Sequence, residues 1–185
     1  MTATLSTLIW LVVVVTFGAV VPIVPTGAAV SGAAAYAAHQ NPMHVVLVVL
    51  AGAGGAYVGD LAMYAMCRWG GEQLARRLHW LRDPERLERT SKRLAERQIS
   101  VLLVSRLVPG GRVPILLAAA IMGMSWRKFA GANGPACLLW STVYAAIGIF
   151  GYAIFPEPWQ SVLAAVLLVL LISQTMAMVS RRRAA

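Results

Sequence analysis

Ten residues constrain this chain more than any others: Ser105 to Pro114, read SRLVPGGRVP, set two arginines and several backbone breakers inside an otherwise apolar run. A helix continued through them would need an amide hydrogen that Pro109 lacks, and Gly110 and Gly111 weaken the same turn. The segment is therefore expected to break. Non-helical backbone at membrane depth survives only where it is buried in protein or lines a wet cavity, so a broken apolar segment with charges at its bend is a candidate site. Arg106 and Arg112 flank that bend. A reversal at Pro109, Gly110 and Gly111 brings both guanidiniums toward the tip, where paired planar forks suit a phosphate. The plainer alternative is that each arginine snorkels or pairs with a carboxylate.

The surroundings of this motif decide the class of protein. The chain has 185 residues, 59% of them hydrophobic and 12% charged, with a mean hydropathy of +0.70. That composition indicates a single-domain, all-α polytopic membrane protein and excludes a soluble core. A net charge of +9 would suit nucleic acid, but the positions of the sixteen Lys and Arg argue against it. Eight lie between Arg76 and Arg97, three form the tail Arg181 to Arg183, two are Arg127 and Lys128, and only Arg68, Arg106 and Arg112 remain. The clusters read as cytoplasmic loops under the positive-inside rule, with attraction to anionic lipid as a secondary effect and no nucleic-acid partner. Cys67 and Cys137 both lie in apolar segments, so neither a disulfide framework nor a metal site is indicated. The N-terminus lacks the basic region of a signal peptide and is expected to stay in the mature protein.

Taken in order, residues 5–38 form a first broken element, interrupted at Pro22, Pro25 and Gly27. Residues 43–68 are long enough to span, and they contain Asp60, the one acidic residue far from any loop. Residues 70–98 read as a cytoplasmic amphipathic loop, with Asp83, Pro84 and Glu85 restarting a helix. The second broken element covers 99–124, spans follow at 134–155 and 159–179, and 180–185 is a basic cytoplasmic tail.

Parity supports the break independently. If the 76–97 loop and the tail are both cytoplasmic, the last two spans go out and back, which leaves Arg127 and Lys128 inside. Residues 99–124 must then enter and leave on one face as a re-entrant hairpin. By the same count residues 39–42 are external, and the first broken element becomes a hairpin dipping from outside, although a single kinked span from inside satisfies the charges equally. Two opposed re-entrant hairpins plus transmembrane helices make an inverted-repeat architecture, whose substrate site lies near the midplane.

The in-membrane groups are then Asp60, Arg68, Arg106 and Arg112. Asp60, Tyr64 and Arg68 recur every fourth residue and share a helix face. A buried Asp60–arginine pair that merely fixes packing is the plain reading. The functional one is an anion site in which a desolvated Asp60 also carries a proton.

At these residues the chain resembles the DedA family, also called SNARE-associated or VTT-domain membrane proteins. The resemblance lies in GDLAMYAMCRWGG at 59–71 and in SRLVPGGRVPILLAAAIMGMSWRKF at 105–129, with Trp140, Tyr144 and Gly148 fitting beyond them. It implies a bacterial inner-membrane translocase that returns undecaprenyl phosphate or another lipid phosphate across the bilayer. Arg106 and Arg112 would hold the phosphate with Arg68 nearby, and Asp60 would match an acid tied to proton coupling. The sequence departs from the family in two places: Pro25, Thr26 and Gly27 carry no carboxylate where the first hairpin usually has one, and Cys67 replaces a glycine before Arg68. Proton coupling would therefore rest on Asp60 alone, and a scramblase or facilitated carrier stays open. No nucleophile set, metal motif or P-loop accompanies the arginines, so no enzyme and no cofactor is expected. The partners expected are a lipid phosphate and membrane lipids, with homo-oligomerisation left open. A non-transporting membrane-homeostasis protein and an integral lipid phosphatase are the competing readings.

Overall fold

A computed structural model describes residues 2–20, 26–77, 98–107 and 112–154, with isolated positions from Trp159 onward. Among the described residues every regular element is a helix: α1 (Thr2–Val20), α2 (Thr26–Gln40), α3 (Pro42–Arg77), α4 (Gln98–Leu107), α5 (Arg112–Ile121) and α6 (Trp126–Ile154). The order is two shorter helices and a long one, twice over. Pro22, Pro25, Pro109, Gly110 and Gly111 lie outside the described residues, as do most of the 70–98 loop, much of 159–179 and the tail 180–185.

Local chemistry fixes the corners. Asn41 caps α3: its side-chain Oδ1 accepts from the Met43 amide at 2.9 Å, and Pro42 takes the first helical position, where a missing amide hydrogen costs nothing. At the other tight corner Gly123 adopts φ +66°, a left-handed conformation that a side chain would oppose. The Gly123 and Met124 amides donate to the Ala120 and Ala119 carbonyls at 3.1 Å each, closing α5 in a Schellman arrangement. Ser125 then caps α6, its Oγ lying 3.4 Å from the Lys128 amide. With that cap available α6 starts at Trp126, ahead of Gly134 where the apolar run alone would put it, and it carries Pro135 in its interior. Pro114 sits in the first turn of α5, where amides have no intrahelical acceptor.

The two long helices pack against each other, and each shorter helix finds one of them. α1 and α5 lie chiefly on α3, while α4 and α2 lie chiefly on α6. Matching contacts show the directions. Thr16 Oγ1 donates to the Gly55 carbonyl at 3.1 Å, Ser31 Oγ to the Tyr144 carbonyl at 2.7 Å and Ser141 Oγ to the Val49 carbonyl at 2.9 Å. Such hydroxyl bonds and small residues join helices where apolar surface gives no preference for protein over lipid. Gly148 is the tightest example: a Cβ there would run into the Ser31 carbonyl, with the Ala35 amide nitrogen 3.0 Å away. The end of α1 and the start of α2 thus reach the same stretch of α3 and α6 as the end of α4 and the start of α5, approaching from the opposite end of the molecule.

Two apolar clusters flank that stretch. One joins Met63, Tyr64, Leu102, Leu116, Leu117 and Phe129; the other joins Leu11, Val15, Val30, Val48, Ala56 and Trp140. The exterior is apolar too, with Trp10, Phe17, Leu50 and Phe150 each more than half exposed. Met43–Gly70 and Trp126–Gly151 are long and apolar enough to cross a bilayer.

Candidate functional site

Between the two clusters sits Asp60, a carboxylate with 1% of its surface exposed on an apolar helix. Such a group persists only if cations or donors replace its water. Two arginines do so, from helix ends that point at it. Arg106, in the last turn of α4, pairs through Nη2 with Asp60 Oδ2. Arg112, the first residue of α5, places Nε 3.1 Å from Asp60 Oδ1. Their side chains are 3% and 19% exposed. Arg106 near the end of α4 and Arg112 at the start of α5 thus meet on one carboxylate, whereas a continuous helix would have held them about 9 Å apart along its axis.

The arginines are used differently. Arg106 also donates to Cys137 Sγ at 2.9 Å, and its guanidinium carbon lies 5.7 Å from the centre of the Trp140 ring, within cation–π range. Arg112 faces the carboxylate off the line of its N–H, so Asp60 Oδ1 and Arg112 Nε complete no hydrogen bond, and Arg112 Nη2 is likewise buried without one. One guanidinium is engaged and the other has unused donors.

Arg68 is placed elsewhere. It is exposed, and its Nη1 donates to the Met124 carbonyl at 3.1 Å, beside the Tyr64 hydroxyl at 3.4 Å. Tyr64 donates to the same carbonyl. Its ring stacks on Phe129 at 4.1 Å and meets Trp126 edge-on at 4.9 Å. Asp60 and Arg68 share a face of α3, as their spacing requires, but two turns separate them, and Arg68 holds the α5–α6 corner. Gly27, in the first turn of α2, is buried, and the Tyr144 ring fills the space that a side chain there would need. Tyr144 in turn lies 5.2 Å from Trp140, which carries the line of contacts back to Arg106.

Two residues of α6 that the charge pattern does not single out lie close by. Cys137 Sγ is 4.0 Å from Asp60 Oδ2 as well as bonded to Arg106. Asn133 is fully buried with both amide atoms unpartnered. It lies one turn from Phe129 and one from Cys137, so its register falls between the Tyr64 and Asp60 levels of α3. The available signal was the spacing of Phe129, Asn133 and Cys137 at every fourth residue in an apolar segment.

A cluster of one carboxylate and two guanidiniums, one of them short of acceptors, can hold an oxyanion by charge and by planar donors. The family model described as VTT domain matches residues 21–150, which takes in Asp60, Arg106, Arg112 and Asn133. No curated protein and no solved structure matches the chain.

Proposed function

The chain belongs to the VTT-domain family, also known as the DedA or SNARE-associated family, and from that premise we propose that it moves a lipid phosphate across a membrane, with the headgroup held at Asp60, Arg106 and Arg112. The observation that carries this reading is Arg112: a half-buried guanidinium whose Nε and Nη2 are buried with no hydrogen-bond acceptor, beside a carboxylate already paired with Arg106. A phosphate oxygen supplies the missing acceptors. It also meets the first-turn amides of α5, where the helix dipole favours an anion.

In this reading the α1–α2 and α4–α5 pairs are re-entrant hairpins, related as the halves of an inverted repeat. Support comes from the packing, in which α1 on α3 corresponds to α4 on α6, and α2 on α6 to α5 on α3. The end of α4 and the start of α5 meet at Asp60, and the end of α1 packs on Gly59 beside it, so small movements of either pair open the cluster to one face or the other, while the lipid tails stay outside against Phe17, Leu50 and Phe150. The membrane is a bacterial inner membrane, with the 76–97 loop on the cytoplasmic side. Undecaprenyl phosphate and glycerophospholipids are both lipid phosphates of the required kind. No covalent step is needed, and a proton carried on Asp60 is a route to coupling that the protein's own side chains offer.

A second reading is favoured by the same ion pair: Asp60 and Arg106 hold α3 to α4 whether or not anything moves. The two readings separate in proteoliposomes. Purified wild type, Arg106→Ala and Arg112→Ala, each at verified equal incorporation, are compared for lipid-phosphate translocation with and without a pH gradient. Translocation that is lost in Arg112→Ala while the protein remains monodisperse is the expected result. Undiminished translocation in both variants would refute the site, and no translocation of any lipid phosphate by wild type would leave the structural role.

A further inference from the structure

The charge of the cluster can be counted, and the count restricts the ligand. α3 contributes Asp60, α4 contributes Arg106 and α5 contributes Arg112. α6 contributes Cys137 and Trp140, with the neutral, buried amide of Asn133 one turn before Cys137. α1 and α2 hold no Asp, Glu, Lys or Arg, and at Gly27 the Tyr144 ring already occupies the room that a side chain would need. The connecting residues add nothing either, because 21–25 read Val-Pro-Ile-Val-Pro and 108–111 read Val-Pro-Gly-Gly. With the carboxylate ionised between two guanidiniums and the thiol neutral, the cluster that the described residues form carries one net positive charge.

A buried site of that charge is neutralised by one negative charge and left anionic by two. Where water is scarce the second charge meets no counter-ion and keeps little of its hydration, so it counts against binding. Geometry agrees with the count. Arg106 is committed to Asp60, Cys137 and the Trp140 face, which leaves the Arg112 fork as the free cationic donor set.

We infer that this site, taken as the lipid-phosphate site proposed above, selects a headgroup phosphate bearing a single negative charge. A phosphodiester fits it at any working pH, whereas a phosphomonoester fits only in its singly protonated form. A phosphomonoester lipid then brings a proton with it, with no protein carboxylate gaining or losing one.

The test is binding of two short-chain lipids to the purified full-length protein in non-ionic detergent: one with a glycerol phosphodiester headgroup and one with a bare phosphomonoester. Affinities are measured at about pH 5.5 and about pH 8. With a second ionisation near 6, the singly charged fraction of the monoester falls on the order of seventy-fold over that interval. The monoester affinity is expected to fall with it, and the diester affinity to stay within about twofold. Monoester binding that is equal or tighter at the higher pH would overturn the inference. A diester affinity that falls in parallel would also overturn it, since a protein group would then be titrating.

Two variants move the count itself. Asp60→Asn raises the cluster to two positive charges and should relieve the monoester of its pH penalty. Arg112→Gln removes the net charge and should weaken the diester at least tenfold. If Asp60→Asn does not fold, the wild-type pH series and Arg112→Gln still decide. Glycerol phosphate competing as well as the lipids would uphold the charge rule and remove the lipid from it. Failure of both lipids to bind a well-folded wild type would instead sink the proposed function, which separates that failure from this one.

Discussion

Removing each member of the Asp60 cluster in turn should give three different losses of stability, in an order set by burial. Deleting one partner of a buried ion pair typically costs about 3–5 kcal/mol, because the other charge stays behind unpaired. Asp60→Ala strands two cations, with side chains 3% and 19% exposed, and belongs at or above the top of that range. Arg106→Ala leaves Asp60 with Arg112 alone, 3.1 Å away and off the hydrogen-bond line, so about 3 kcal/mol is expected. Arg112→Ala removes the more exposed, less directional contact and leaves the Arg106 pair intact; solvent screening brings its cost to about 1 kcal/mol. For a chain of this size about 1 kcal/mol shifts the melting temperature by roughly 2–4 °C, so the series should spread from a few degrees to about 20 °C. The assay is a thermal challenge in detergent, with the surviving monodisperse fraction read by size-exclusion chromatography. Asp60→Ala melting no lower than Arg112→Ala would refute the reasoning, since it would mean that the carboxylate does not hold the two arginines. The same series separates the roles of the arginines: Arg112→Ala should lose translocation out of proportion to its small loss of stability.

Arg112→Lys should fold normally yet transport at least about tenfold more slowly in proteoliposomes, because an ammonium cannot present the planar fork. Gly148→Ala should lower the melting temperature, at a cost of about 1–3 kcal/mol, because the added methyl meets the Ser31 and Ala35 backbone rather than a movable side chain. Gly131→Ala, with nothing within 4 Å of the new methyl, should be neutral or better in the same assay. Asn133→Leu exchanges a buried amide without partners for apolar atoms, so stability should hold or rise; a melting temperature several degrees lower would show that the amide is satisfied in the folded protein.

Much of the candidate site was legible because charges and breakers are rare in an apolar chain. Asp60, Arg106 and Arg112 stand out by cost alone, and the structure brings these three together. Arg68 stands out by the same rule, yet it is exposed at the far end of its helix face, where a charge costs little and a corner carbonyl offers a partner. In the sequence Cys137 is only a thiol in an apolar segment and Asn133 carries no mark, because neither is expensive in isolation; only the approach of α6 to α3 and α4 makes a thiol a neighbour of Arg106, or an amide an orphan.

The sequence by itself determined that the chain is helical and apolar, where its backbone breakers fall, and which few charged side chains stand in apolar segments. Those properties are local: they follow from a missing amide hydrogen at proline, from the freedom of glycine, and from the desolvation of single charges. Which arginine meets the carboxylate head-on, and which is left with donors to spare, depends on how α4 and α5 lie against α3 and α6. That is a matter of register between helices far apart in the chain. Arg106 reaches Asp60 Oδ2, Cys137 Sγ and the Trp140 ring because the end of α4 lies between α3 and α6, while Arg112 meets the other carboxylate oxygen off line from the start of α5, and a one-dimensional pattern cannot rank such contacts.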